Sequence, residues 1–97
     1  MLRAAVNNGY SQGYRQAQLD RQYGRRSNYY GNQYYQSGTY GYQSHVAQNQ
    51  YQYYFQQGFQ RGYQDGYNSQ QQYGYRSGNN FNILGNVLSG ILNFIID

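Results

Sequence analysis

A mainly helical fold is what this 97-residue sequence predicts, and three observations predict it. Small residues recur at every fourth position in two separate stretches, Ala5-Gly9-Gly13-Ala17 and Gly58-Gly62-Gly66. Aromatic or apolar residues run beside each row, while Gln, Arg and Asp fill the other positions. The final stretch, 81–97, changes composition and draws an amphipathic pattern of its own. The alternative is a largely disordered or β-rich low-complexity assembly, because amides, Gly and Ser dominate between the aromatics. Aromatics make up 21% of the chain and proline is absent, which disordered segments rarely combine.

The first helix is expected over about 4–22, where Val6, Tyr10 and Tyr14 run parallel to the small-residue row. A second is expected over about 44–68. There Ala47, Tyr51, Tyr54, Phe55, Gly58, Phe59, Gly62, Tyr63, Gly66 and Tyr67 follow the i, i+3, i+4, i+7 template. Ser44 suits the N-cap and Asn68-Ser69 the stop. Arg61 and Asp65, four apart, suit a helical ion pair. A strand would mix rings with Gln57, Arg61 and Asp65 on one side, whereas a helix separates them.

The link 23–43 reads as an irregular Tyr-rich loop, with a hairpin closed by Gly31-Asn32 as its alternative. Residues 69–80 read as a polar linker, so that 1–68 forms the repeat region and 81–97 the tail. In that tail Ile83, Leu84, Val87, Leu88, Ile91, Leu92 and Ile95 form a broad apolar face. Asn82, Asn86, Ser89, Asn93 and Asp97 draw the polar stripe. Gly85 and Gly90 each weaken such a helix by about 1 kcal/mol, so it is expected to form against a partner surface.

Glycines at spacing four make a groove along a helix that admits a second backbone, as in small-xxx-small contacts. The rings beside the groove each bury roughly 150–250 Å². The expected packing interface is therefore Ala5, Gly9, Tyr10, Gly13, Tyr14 and Ala17 with Tyr51, Phe55, Gly58, Phe59, Gly62, Tyr63, Gly66 and Tyr67. The two helices can close as an antiparallel hairpin within one chain or pair between chains. A two-helix core of this size is marginal, which favours a homo-oligomer or fibre.

The blocks Ala5 to Tyr14 and Tyr51 to Tyr67, joined by a middle containing Gly41-Tyr42, resemble small uncharacterised bacterial proteins built from GYxxGY repeats, often acidobacterial. The resemblance covers about residues 5–67. It implies an extracellular or cell-envelope location and brings no activity with it. This chain departs from the pattern in having Gln, Asn and Ser where the relatives are rich in Arg, Asp and Glu, and in its apolar tail. MLRAAV is too short for the apolar region of a signal peptide, and no apolar run is long enough for a transmembrane helix.

The chemistry-bearing residues are few. The net charge is +4, the seven cations are all Arg, and cysteine is absent. One histidine, His45, and three acids, Asp20, Asp65 and Asp97, do not make a metal set. His45 reads as a helix-start or surface residue. No nucleophile sits beside a base, and the glycines lack the lysine and strand context of a phosphate loop. The sequence therefore predicts no enzyme, no cofactor and no small-molecule substrate. Its leading reading is a noncatalytic, self-assembling structural protein, fibre-forming or envelope-associated. Arg interleaved with Tyr leaves nucleic-acid binding open as a less favoured alternative. Residues 81–97 leave membrane-surface docking open as another, although their polar face lacks Lys and Arg.

Overall fold

The computed structural model describes residues 2–44, 46–78 and 80–96, with side chains as far as Leu92. Among them the chain is mainly helical: α1 (Leu2–Gln22), α2 (Gln33–Ser37), α3 (Gln48–Asn68), an antiparallel pair β1 (Gly74–Ser77) and β2 (Asn80–Ile83), and α4 (Gly85–Ile96).

Helix α1 ends where a backbone rule stops it. Gly24 takes φ +69, Arg25 N–H bonds Asp20 O at 2.7 Å, and Gly24 N–H bonds Arg21 O at 3.2 Å. These are the two hydrogen bonds of a Schellman motif, with glycine at the left-handed position. Helix α3 stops at Asn68, as its sequence predicts, with Ser69 in the left-handed conformation and Gln70 N–H bonded to Asp65 O. Its start differs from the expected Ser44 cap. Ala47 is the N-cap and makes no side-chain bond. The preceding residues are spent on turns, closed by Tyr42 N–H to Thr39 O and Val46 N–H to Gln43 O. His45 lies outside the described residues.

α1 and α3 pack along their small-residue rows, and they run parallel. A Cβ on Gly9 would meet the Phe55 carbonyl, and one on Gly13 the Phe59 carbonyl. Reciprocally, a Cβ on Gly58 would fall within 3.0 Å of the Val6 carbonyl, one on Gly62 within 3.0 Å of that of Tyr10 and one on Gly66 within 3.0 Å of that of Tyr14. Contacts climb both helices together, so the antiparallel hairpin expected from the sequence is corrected. The physical reason lies in the link. Residues 23–47 return along the whole pair instead of turning at its end, which lets α3 start again beside the N-terminal half of α1.

That link is anchored by a row of glutamines on α3. Gln52 Nε2 donates to Ser37 O, Gln56 Nε2 to Tyr35 O and Gln60 Nε2 to the Tyr35 hydroxyl, all within 3.2 Å. Side chains at spacing four thus satisfy backbone and hydroxyl groups that a strandless segment would otherwise leave unpaired. Gly31-Asn32 does not close a hairpin. Asn32 instead caps α2, accepting from Tyr34 N–H at 2.9 Å.

On another side of α1 lies the strand pair, in register Gly74↔Ile83 through Ser77↔Asn80. This corrects the polar linker read over 69–80 and the helix start at Phe81. Phe81 and Ile83 alternate inward, a period of two that a short strand satisfies as well as a helix. The edge of β2 is closed by α1: Asn7 Oδ1 accepts from Ile83 N–H at 2.9 Å, and Asn7 Nδ2 donates to Asn82 Oδ1 at 3.4 Å. α4 then begins at Gly85, with Ile91 buried, Val87, Leu88 and Leu92 half-buried, and Asn86, Ser89 and Gly90 exposed.

Candidate functional site

The two helices repeat one another at an offset of 49 residues. Val6, Gly9, Tyr10, Gly13, Tyr14 and Ala17 correspond to Phe55, Gly58, Phe59, Gly62, Tyr63 and Gly66. The contacts obey the same offset: Gly9 meets the Phe55 carbonyl as Gly58 meets that of Val6, and Gly13 meets Phe59 as Gly62 meets Tyr10. The seam therefore has local two-fold pseudosymmetry along the helix axes. Such close approach brings glycine Cα–H groups to facing carbonyls, a weak contact that recurs at helix interfaces.

Beside the seam the rings stack in a ladder on α3. Tyr51, Phe55, Phe59, Tyr63 and Tyr67 follow at centroid separations of 6.1–6.2 Å. Of the fourteen residues named from the sequence for packing, thirteen are buried and Tyr67 is half-buried. Of the tail residues, Ile83 sits in β2 and Ile91 in α4, both buried, while Leu84, Val87, Leu88 and Leu92 are half-buried. Ile95 lies outside the described side chains.

Two carboxylates, Asp65 and Asp20, lock the seam. Asp65 is fully buried and pairs with no cation. Its Oδ2 accepts from the Tyr10 hydroxyl at 2.7 Å and Tyr73 N–H at 2.8 Å, and Oδ1 from Gln72 N–H at 3.2 Å. The expected Arg61–Asp65 ion pair is absent. Arg61 Nη1 turns back to Gln57 O and Oε1, at 3.0 and 3.3 Å. Asp20 Oδ2 accepts a short hydrogen bond from the Tyr63 hydroxyl, and Oδ1 pairs with Arg25 at 3.2 Å. Each acid thus receives a tyrosine hydroxyl from the opposite helix. Burial, then the Asp65 carboxylate, drive the Tyr10 hydroxyl well above its ordinary pKa. Burial and Asp20 push Tyr63 up to about 12.

Parallel packing sets both helix C-termini at one end, where their partial negative charges add. Arg21 bridges them, donating to Tyr67 O at 2.9 Å and to Ser69 Oγ at 2.8 Å. Other arginines lie over rings: Arg15 and Arg76 over Phe81, which also stacks on Tyr14 at 4.1 Å, and Arg25 over Tyr23. Among the described residues no three His, Cys, Asp or Glu side chains gather to hold a metal. No helix among them is long and apolar enough to cross a membrane.

Sequence reasoning missed Asn7, the burial of Asp65 and its bonds to Tyr10, Gln72 and Tyr73, and the Gln52-Gln56-Gln60 row. The glutamine row had a signal, spacing four on the face away from the glycines. Asn7 had none, and the spacing of Asp65 pointed to Arg61 instead. Comparison with protein-family models, curated proteins and solved structures finds no match to the chain.

Proposed function

We propose that the chain is a noncatalytic structural protein that self-associates, with the glycine-grooved, Tyr-lined pair α1–α3 as its rigid unit. The observation that carries this reading is where the polar chemistry goes. Asp20 and Asp65, the acids among the described residues, both serve as acceptors that tie segments together. Because the small-residue faces are closed within the chain, association passes to other surfaces. Tyr23 and Tyr30, each 64% exposed, with Tyr40, Tyr53 and Tyr75, supply rings on the outside. Tyrosine combines large contact area with few rotatable bonds, which suits it to interfaces. A fibre or envelope-associated layer is the form this favours, in line with the GYxxGY resemblance.

Sedimentation or light-scattering mass across a micromolar concentration series tests the reading. Mass should rise with concentration in the parent chain. It should fall back in a Tyr23→Ser/Tyr30→Ser/Tyr75→Ser variant whose helical signal is unchanged. A parent chain that stays monomeric throughout overturns it.

A further inference from the structure

The outer side of α3 carries a cleft of about 420 Å³ with an unusual wall. Gln57, Arg61 and Gln64 line it from α3, Ser27 and Tyr29 from the link, and Tyr73 from the segment after α3. The volume falls within the roughly 300–1,000 Å³ of small-ligand sites, yet such sites are predominantly apolar. Here no aliphatic side chain lines the cleft; amides, hydroxyls, aromatic rings and one guanidinium do. Amides and hydroxyls can exchange hydrogen bonds with a ligand rich in hydroxyl groups. Tyrosine rings offer flat apolar faces to the C–H side of a sugar ring. The lack of an aliphatic wall points away from a lipid, and the amides and hydroxyls beside ring faces suit a polyhydroxylated molecule.

Arg61 adds a sign. Its Nη1 is held by Gln57 O and Oε1, which fixes the guanidinium on its own helix. Nε and Nη2 have no partner among the described residues, and no carboxylate lines the cleft. The edge formed by Nε and Nη2 is a two-pronged donor that matches a carboxylate. The site therefore offers an oriented, unneutralised carboxylate receptor beside sugar-compatible walls.

We propose that this cleft binds an acidic saccharide, a uronic-acid unit whose carboxylate sits on the free edge of Arg61. Its hydroxyls meet the Gln64 amide and the Ser27 hydroxyl, and its ring lies against Tyr29 or Tyr73. The sequence carries no such signal, because Ser27 and Tyr29 lie far along the chain from the α3 residues they face.

Calorimetric or NMR titration of the full chain tests this, at a concentration where its mass is constant so that assembly does not enter the readout. The probes are a short oligogalacturonide, its neutral methyl ester, a glutamate-rich peptide and inorganic sulfate. The oligogalacturonide should bind saturably, and methyl esterification or Arg61→Met should weaken it about tenfold or more. Gln64→Ala should weaken it by a smaller factor, and provides the test should Arg61→Met disturb the circular dichroism. Three results overturn the proposal. They are absence of saturable binding at millimolar sugar, equal binding of the glutamate peptide or sulfate, and an affinity that neither variant alters.

Discussion

Glycine plays opposite parts in two regions of this molecule. In the α1–α3 seam Gly9, Gly13, Gly58, Gly62 and Gly66 each face a carbonyl at a distance no Cβ tolerates. In α4, Gly85 and Gly90 face open space. Each glycine in a helix costs about 1 kcal/mol relative to alanine in both places. Only in the seam does that cost have a return, because removing the Cβ lets the backbones close and the flanking rings bury. One residue type in one secondary structure is thus indispensable in the first region and dispensable in the second.

The largest expected effect follows from the seam. Gly62→Leu drives a side chain into the Tyr10 backbone, which cannot give way as a flexible side chain could. The helices must part, and the buried ring ladder loses its cover. Loss of cooperative thermal unfolding by circular dichroism is the expected outcome. The pseudosymmetry sharpens the test: Gly9→Ala and Gly58→Ala occupy equivalent positions and should destabilise by similar amounts. Clearly unequal effects would break the equivalence.

The seam was largely legible in the sequence, because a row at spacing four is a local code for one helix face. Its direction was not. Parallel and antiparallel pairs use the same rows, so the choice falls to the link, whose path depends on Gln52, Gln56 and Gln60 meeting Ser37 and Tyr35. The strand pair was illegible for a different reason. Ile83-Leu84 with Val87-Leu88 fits a helical period, and the rival period of two rests on Phe81 and Ile83 alone. What tips the balance is Asn7, more than seventy positions away, which serves as a hydrogen-bonding neighbour for β2. The cleft at Arg61 was hidden by the same kind of distance, and by an Asp65 that looked like the arginine's partner.

Alkaline pH should strike the seam next hardest. The Tyr63 hydroxyl has an ordinary pKa of 10.0 and is pushed up to about 12 by burial and by Asp20. Tyr10 and Tyr51 are raised by burial as well. A group whose folded pKa is raised gives its stabilisation in full below the unfolded value and loses it as pH climbs toward the folded one. Stability should therefore hold below pH 10 and fall between about pH 10 and 12, with the Tyr63 ring, followed by its own NMR signals, ionising at the same midpoint as the loss of helix. Ionisation of Tyr63 well before the helix is lost would mean that its ring is not sealed.

Asp65 joins the seam to the strand pair, since one carboxylate holds Tyr10 of α1 and the backbone of residues 72–73 leading into β1. Asp65→Asn keeps the shape but turns one acceptor into a donor, leaving a buried group mispaired at a cost of about 1–3 kcal/mol. Urea unfolding should report that loss. Hydrogen exchange should show the Tyr73 amide losing protection before the seam amides do. Uniform loss across both regions would mean that the strand pair and the seam form a single cooperative unit.

The smallest effect has the opposite sign. At Gly90 a Cβ would meet nothing within 4 Å, and the backbone is already helical. Alanine there narrows the unfolded ensemble and removes a helix-weakening residue, so Gly90→Ala should stabilise by about 0.4–1 kcal/mol. The gain should appear as a higher urea midpoint at unchanged slope, since the surface exposed on unfolding is the same. If Gly90→Ala destabilises instead, the face of α4 that carries Gly90 and lines the small recess with Tyr53, Gln57 and Arg61 is covered in solution. The contrast with the seam would then narrow, because a second copy of the chain would be the surface that needs glycine there.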